Sequence, residues 1–240
     1  MKKYCLGNWK MNQSLEEVKA FCHEFKLSSS DVFIGVAPQA IHIPYLLENS
    51  TMNIGSQNCS EQIKGAFTGE LGPSFLQELG VKFSLIGHSE RRHIYQESTP
   101  TCIKKVQNAL ENKIQVVYCI GETLQEFDNN QTEQTLRNQL VPLLEVLKAS
   151  NQSSVVIAYE PVWAIGTGKV ATLDIISNVT KFIHDLCLEH KQDYPVLYGG
   201  SVKPANVSDI SQIITVQGVL VGGASLKADS FSSLCAAFEQ

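Results

Sequence analysis

The chain has 240 residues, 43% of them hydrophobic and 18% charged, with a formal net charge of −5. That length suits one large domain or two small ones, with enough apolar content for a core. The acidic balance argues against a general nucleic-acid binder, yet it leaves room for a local positive site that takes a phosphorylated substrate.

From the N-terminus, Met1-Lys2-Lys3 leads into the apolar run Tyr4–Trp9. No apolar h-region follows the lysines, so no signal peptide is expected. Ser14-Leu15-Glu16-Glu17 has the form of a capping box, in which hydroxyl and carboxylate reciprocally satisfy helix-terminal N–H groups. It opens a helix whose buried face is expected to run Leu15, Val18, Cys22 and Phe25. Apolar runs recur at Val32–Ala37, Met52–Ser56, Phe83–Gly87 and Val116–Ile120. Leu136, Leu140, Leu143, Leu144 and Leu147 then mark a helix face. The polar stretch Ser150–Ser154 is a connector too short for a domain linker. Val155–Tyr159 follows, and Leu173, Ile176, Val179, Ile183 and Leu186 recur at helical spacing after Thr172. Val196–Tyr198 and Val219–Val221 complete the series.

The eight runs are near-continuous rather than alternating. Parallel strands buried on both faces have that pattern. Strand and helix alternate, and a closed (β/α)8 barrel uses such units in about 250 residues. An open doubly wound sheet carries a Gly-rich first turn, whereas here the first strand ends in Asn8-Trp9-Lys10-Met11-Asn12. The expectation is an α/β protein, one (β/α)8 barrel domain over residues 1–240. Seven scattered cysteines, with no C-x-x-C pair, suggest reduced thiols and a cytoplasmic location. No run approaches the roughly 18 apolar residues of a membrane span.

On such a barrel the strand C-termini build the active face. Glu160 stands where the run Val155–Tyr159 stops, and Pro161 forbids the strand from continuing. The following Val162-Trp163-Ala164-Ile165 is apolar, and Gly166-Thr167-Gly168 is pliable. A carboxylate that removes a proton from carbon gains from such a water-excluding cover, so Glu160 is the candidate base. The alternative is a solvated acid or a partner of Lys169. His88 lies in Gly87-His88-Ser89-Glu90; with Ser89 as an N-cap, the imidazole would face the N-terminal end of a helix and donate to a carbonyl oxygen. Glu90 is either part of this group or a helix acid complementing the dipole. Lys10, beside Asn8, can stabilise a phosphate or an enediolate. The pairs Gly199-Gly200 and Gly222-Gly223, each near a serine (Ser201, Ser225), read as a phosphate cradle on the last two strands. Cys119 reads as a packed thiol, and Trp9 and Trp163 as packing groups. Gly166-Thr167-Gly168-Lys169 is not a Walker A loop, since its first glycine is missing and Val170 replaces Ser/Thr. His23, His42, His93, His184 and His190 show no pairing that suggests a metal, and no cofactor is expected.

Together these segments resemble the triosephosphate isomerases over essentially the whole chain. The resemblance rests on Gly7-Asn8-Trp9-Lys10-Met11-Asn12, Gly65-Ala66-Phe67-Thr68-Gly69-Glu70, Ile86-Gly87-His88-Ser89-Glu90-Arg91-Arg92, Cys119-Ile120-Gly121-Glu122, the Glu160 flap, Tyr198-Gly199-Gly200-Ser201-Val202 and Leu220-Val221-Gly222-Gly223-Ala224-Ser225-Leu226. It implies interconversion of dihydroxyacetone phosphate and D-glyceraldehyde 3-phosphate, in glycolysis and gluconeogenesis, without cofactor or metal. It implies that Glu160 shuttles a proton between carbons and His88 moves protons between oxygens. Lys10 and Asn8 would stabilise the enediolate, with Ser89, Glu90 and Cys119 supporting. Gly166, Ser201, Gly222 and Gly223 would bind phosphate. It also implies a homodimer in which the Gly65–Glu70 loop enters the neighbour's site and Thr68 meets Asn8 and Glu90.

The chain departs from that pattern where His184 and Gln217 stand for a usual arginine and aspartate, a change bearing on stability near the last strand. Gln96 and Phe67 also differ, with little effect expected. Two rivals remain: another phosphosugar isomerase or aldolase, with Lys10 as a Schiff-base lysine, and a barrel kept only for binding or adhesion.

Overall fold

The computed structural model describes residues 1–26, 31–148, 154–165 and 169–239. Strands β1 (Tyr4–Asn8), β2 (Phe33–Ala37), β3 (Asn53–Ser56), β4 (Phe83–Ile86), β5 (Gln115–Ile120), β6 (Val155–Tyr159), β7 (Val196–Tyr198) and β8 (Gly218–Val221) follow one another around a closed parallel barrel. The ring shuts where β1 pairs with β8, from Tyr4 opposite Gly218 to Gly7 opposite Val221. Helices α1 (Leu15–Glu24), α2 (Ile43–Asn49), α3 (Pro73–Leu79), α4 (Ser89–His93), α5 (Thr99–Glu111), α6 (Leu124–Asp128), α7 (Thr132–Leu147), α8 (Leu173–Glu189), α9 (Val207–Ser211) and α10 (Ala228–Ala236) lie in the connections. Every strand runs the same way, so all eight C-terminal ends share one rim.

The unbroken apolar runs are explained by two cores. Leu6, Leu85, Val117, Cys119, Val156, Ala158, Leu197 and Leu220 fill the barrel. Their strand neighbours Cys5, Ile86, Val116, Tyr118, Val155, Ile157, Val196 and Val219 face the helices. Successive strand residues alternate between faces, so a strand covered on both must be apolar throughout. At Gly55 an added Cβ would sit 2.4 Å from the Phe83 ring, so the ring occupies the space a side chain would need.

Two helix faces differ from the sequence expectation. Ser14 and Glu17 do form the capping box. The face of α1, however, centres on buried Val18 and Phe21, while Leu15 is 43% exposed. Phe21 meets the Trp9 ring edge-on at 4.9 Å and stacks on Phe25 at 5.4 Å. Leu173 of α8 is likewise 44% exposed. Both leucines are the first residues of their helices, and a side chain there leans back beyond the last covered turn. The α7 leucines 136, 140, 143, 144 and 147 are all buried, as their spacing predicts. Of the connector Ser150–Ser154, only Ser154 lies within the described residues.

The missing charged pair is replaced group by group. Gln217 is buried; its Oε1 accepts the Val196 N–H at 2.9 Å and its Nε2 donates to the Ile214 carbonyl at 3.0 Å. His184 Nδ1 lies 3.7 Å from Asp193 Oδ1. The amide therefore satisfies the backbone of β7 without needing a counter-charge.

Gln96 takes φ +58°, a left-handed conformation, and is exposed. For a residue with a Cβ that costs about 1–2 kcal/mol, partly offset by the lower unfolded-state entropy of a non-glycine. Gln96→Gly is expected to stabilise the fold by roughly 0.5–1 kcal/mol in urea titration. A loss of stability would show that the strain is compensated elsewhere.

Candidate active site

The rim gathers the candidate groups because β1, β4, β6, β7 and β8 each end there. Asn8 closes β1 and is buried; its Oδ1 accepts the Lys10 N–H at 3.1 Å. That bond belongs to a tight turn in which Lys10 adopts φ +50°. Lys10 Nζ then reaches Glu90 Oε1 at 2.6 Å. Gln57, just past the end of β3, donates its Nε2 to the Lys10 carbonyl at 2.7 Å and to the Ala37 carbonyl at 3.0 Å. Sequence reading passed over Gln57. Its signal was a polar residue directly after a strand's C-terminus, the same signal that marked the other groups.

His88 follows β4. Here the structure corrects one expectation: Ser89 is not the N-cap of α4 but its first residue, and His88 itself is the cap. His88 Nδ1 accepts the Glu90 N–H at 3.2 Å. A ring nitrogen that accepts an N–H carries no proton, so in the neutral ring the hydrogen sits on Nε2. Nε2 lies 3.1 Å from Glu160 Oε1. The Ser89 N–H, a helix-terminal donor without an intrahelical acceptor, donates to Glu160 Oε2 at 2.9 Å.

Glu160 is 2% exposed, directly after β6. Its N–H donates to the Ile120 carbonyl at 2.7 Å. Gly121 permits that approach, since a Cβ there would lie 1.7 Å from the Glu160 carbonyl oxygen. Both carboxylate oxygens are thus held by the β4 end, one by the imidazole and one by a backbone N–H. The cover begins at once with Pro161 and a turn over Val162–Ala164. Trp163 Nε1 donates to Glu122 Oε1 at 2.8 Å, Tyr159 Oη donates to the same oxygen at 3.0 Å, and the Val162 N–H donates to the Glu122 carbonyl at 3.0 Å. Burial pushes the Glu122 carboxyl above its ordinary value although Trp163 and Tyr159 donate to it. Cys119 is buried inside the barrel, and burial, reinforced by Glu160, pushes its thiol well above the ordinary range. It is therefore a packing group near the base rather than a nucleophile.

One cavity of about 550 Å³ joins these pieces. Its lining includes Asn8, Lys10, His88 and Glu160, and also Ser201, Gly222 and Gly223. Gly222 lies against Lys10, with only 3.6 Å from its added Cβ to Lys10 Cε. Ile165 lines the cavity from the cover, and Gly166 lies outside the described residues. The Gly65–Glu70 loop does not reach this cavity within the chain; residues 65–70 are exposed. Among the described residues, no group of three or more His, Cys, Asp or Glu could hold a metal ion, and no helix is long and apolar enough to cross a membrane.

The arrangement suits proton transfer at carbon next to a carbonyl, on a small substrate with an anionic tail. A closed parallel barrel whose strand ends gather polar side chains on one rim has the layout of an enzyme. The family model for triosephosphate isomerase matches residues 3–238. The triosephosphate isomerase of Mycoplasmopsis pulmonis is 37% identical, with 98% of this chain and 97% of that protein covered. Those of Alkaliphilus metalliredigens and Leptospira interrogans are each 40% identical, covering 96% and 97% of this chain and 97% and 99% of theirs. The chain belongs to the triosephosphate isomerase family.

Behind α4 lies a buried ion cluster. Glu97 Oε1 accepts from Arg91 Nη2 at 2.6 Å and from Lys105 Nζ at 2.5 Å, and Lys105 also donates to Asn58 Oδ1 at 2.9 Å. The cluster ties the helix that carries Ser89 and Glu90 to α5. Burial alone would raise the Glu97 carboxyl, but hydrogen bonds and charges from Arg91 and Lys105 outweigh it and hold it below its ordinary value. A depressed carboxyl stabilises the fold above its unfolded-state pKa, and that stabilisation is lost as pH falls through the folded-state value. Glu97→Gln is expected to cost about 3 kcal/mol at neutral pH, because it strands the buried Lys105 ammonium. The penalty should shrink in acid, below the usual carboxylate range, as the wild type itself loses the charge. A penalty that stays constant down to acid pH, read from urea melts, would remove the charge from the explanation.

Proposed function

We propose that the chain interconverts dihydroxyacetone phosphate and D-glyceraldehyde 3-phosphate through an enediolate, with Glu160 as the base and His88 as the electrophile. The observation that carries this reading is the meeting of Glu160 Oε1 and His88 Nε2 at 3.1 Å in a cavity whose other part is glycine-rich. Substrate would enter with its phosphate against the N–H groups of Ser201, Gly222 and Gly223, joined by Gly166. Its carbonyl oxygen would take the His88 Nε2–H that Glu160 now occupies. Glu160 would then leave the Ser89 N–H and turn its free oxygen to the carbon.

Glu160 takes the proton from the hydroxymethyl carbon, and the C–H electron pair becomes the carbon–carbon double bond. The carbonyl pair moves to oxygen, where the His88 N–H, Lys10 and Asn8 stabilise the charge. His88 carries a proton between the two oxygens. Glu160 returns its proton to the neighbouring carbon, and the other oxygen becomes the carbonyl. Glu90 holds Lys10, and Ser89 parks the base between turnovers. The Pro161–Ile165 cover keeps water from the enediolate, which would otherwise eliminate phosphate. The setting is glycolysis and gluconeogenesis in the cytoplasm, with residues 1–240 acting as one catalytic domain.

A coupled assay with either triose phosphate tests the reaction. Glu160→Gln should lower kcat by roughly 10²–10⁴-fold, the scale of losing a general base, with substrate binding changed much less. Near-native turnover in that variant would remove Glu160 from the role.

The second part of the proposal is a homodimer through the Gly65–Glu70 loop. Phe67 is 44% exposed at the loop, and Met11, Ile41 and Tyr95 are 87%, 77% and 67% exposed. A second cavity of about 310 Å³ opens beside Lys10, lined by Asn8, Met11, Gln57, Glu90 and Tyr95. It adjoins the reacting groups and can receive the loop of a second copy, with Thr68 beside Asn8 and Glu90. Thr68→Glu places a charge next to Glu90 and should shift the wild-type dimer toward monomer in sedimentation, with kcat falling in parallel. A monomeric wild type of full activity would end this part of the proposal.

A further inference from the structure

The cavity has two cationic lining residues among those described, Lys10 and Lys203. They are not equivalent. Lys10 is committed to Glu90 at 2.6 Å, and the cavity also contains the Glu160 carboxylate. Lys203 has no ion pair among the described residues and is exposed at the mouth. Its backbone is fixed. The Lys203 N–H donates to Asn206 Oδ1 at 2.8 Å, and the Lys203 carbonyl accepts the N–H groups of Asn206 and Val207 at 3.0 and 3.1 Å. Asn206 Nδ2 in turn donates to the Ser201 carbonyl at 3.1 Å, so the turn carrying Lys203 is fastened to the proposed phosphate cradle.

Charge makes this position consequential. The protein carries −5 overall. Among the charged lining residues, Lys10 and Lys203 face Glu160, so without Lys203 the lining would carry no net positive charge. A phosphate monoester arrives with about −1.5 to −2 charges at neutral pH. Such a ligand would meet repulsion from the whole molecule and, but for Lys203, no net attraction from the cavity lining. We infer that Lys203 is a capture residue for phosphorylated substrate: it draws the anionic tail toward the Ser201 turn and takes no part in proton transfer. This rests on the proposed reaction and adds to it the group that governs substrate encounter.

The test is steady-state kinetics of the full chain at two ionic strengths. At about 0.01 M salt, where the Debye length is about 30 Å, Lys203→Gln should lower kcat/KM for glyceraldehyde 3-phosphate about three- to tenfold. Lys203→Glu should lower it further, and Lys203→Arg should restore it. In about 1 M potassium chloride, where screening acts within about 3 Å, the Gln variant and wild type should converge. The effect should reside in KM, with kcat within about twofold of wild type. Unphosphorylated D-glyceraldehyde, tested in parallel, should show no such salt-dependent gap. An equal fall with the neutral aldehyde, or one that persists in high salt, would assign Lys203 a structural role and overturn the inference. So would an unchanged kcat/KM for Lys203→Gln at low salt in an active enzyme. A wild type that fails to interconvert the triose phosphates would instead overturn the parent reading.

Discussion

The hydrogen bond from the Glu90 N–H to His88 Nδ1 sets much of the rim. It makes the imidazole the cap of its own helix, so the ring cannot turn without leaving a backbone donor unsatisfied. It places the neutral ring's hydrogen on Nε2, the nitrogen that faces the cavity. Beside it the Ser89 N–H, a helix-terminal donor without an intrahelical acceptor, holds the other oxygen of Glu160. Two strand ends with no sequence proximity, β4 and β6, are thereby coupled through a single carboxylate. The ion cluster at Glu97 steadies the same short helix from behind.

Several side chains at the rim are already paired with one another. Lys10 has Glu90, Glu160 has His88 and Ser89, and Trp163 has Glu122. A substrate therefore gains only what its own contacts provide beyond those they replace. This favours a ligand with a second anchoring point, for which the glycine turns after β7 and β8 are the proposed place. The division of the cavity between side chains and bare backbone follows. The reacting end needs titratable groups, whereas the tail end needs only N–H groups that a side chain would obstruct.

Much of this was legible in the sequence because the strands are covered on both faces and so appear as unbroken apolar runs. Their ends, and hence Asn8, His88, Glu160 and the glycine pairs, could be located within a residue or so. Less legible was anything decided by competition between neighbours. Ser89 has the better capping side chain in general, but His88 occupies the φ and ψ of a cap and Ser89 does not. Leu15 and Leu173 continue a helical period yet project past the sheet, because periodicity carries no information about where cover ends. Gln57 was invisible as a functional group, since a glutamine after a strand has many ordinary uses. Its aim at the Lys10 carbonyl is a tertiary fact. The loop Gly65–Glu70 was recognisable only by resemblance, for an exposed loop carries no internal sign of what it meets.

Pro161 joins Glu160 directly to the apolar turn that follows it, and Trp163, two residues on, is tethered to the buried Glu122. The backbone that carries the carboxylate and the start of its cover is thus fastened on both sides, to Ile120 through the Glu160 N–H and to Glu122 through Trp163. A change at Glu122 would consequently be felt at the carboxylate and at its apolar cover together.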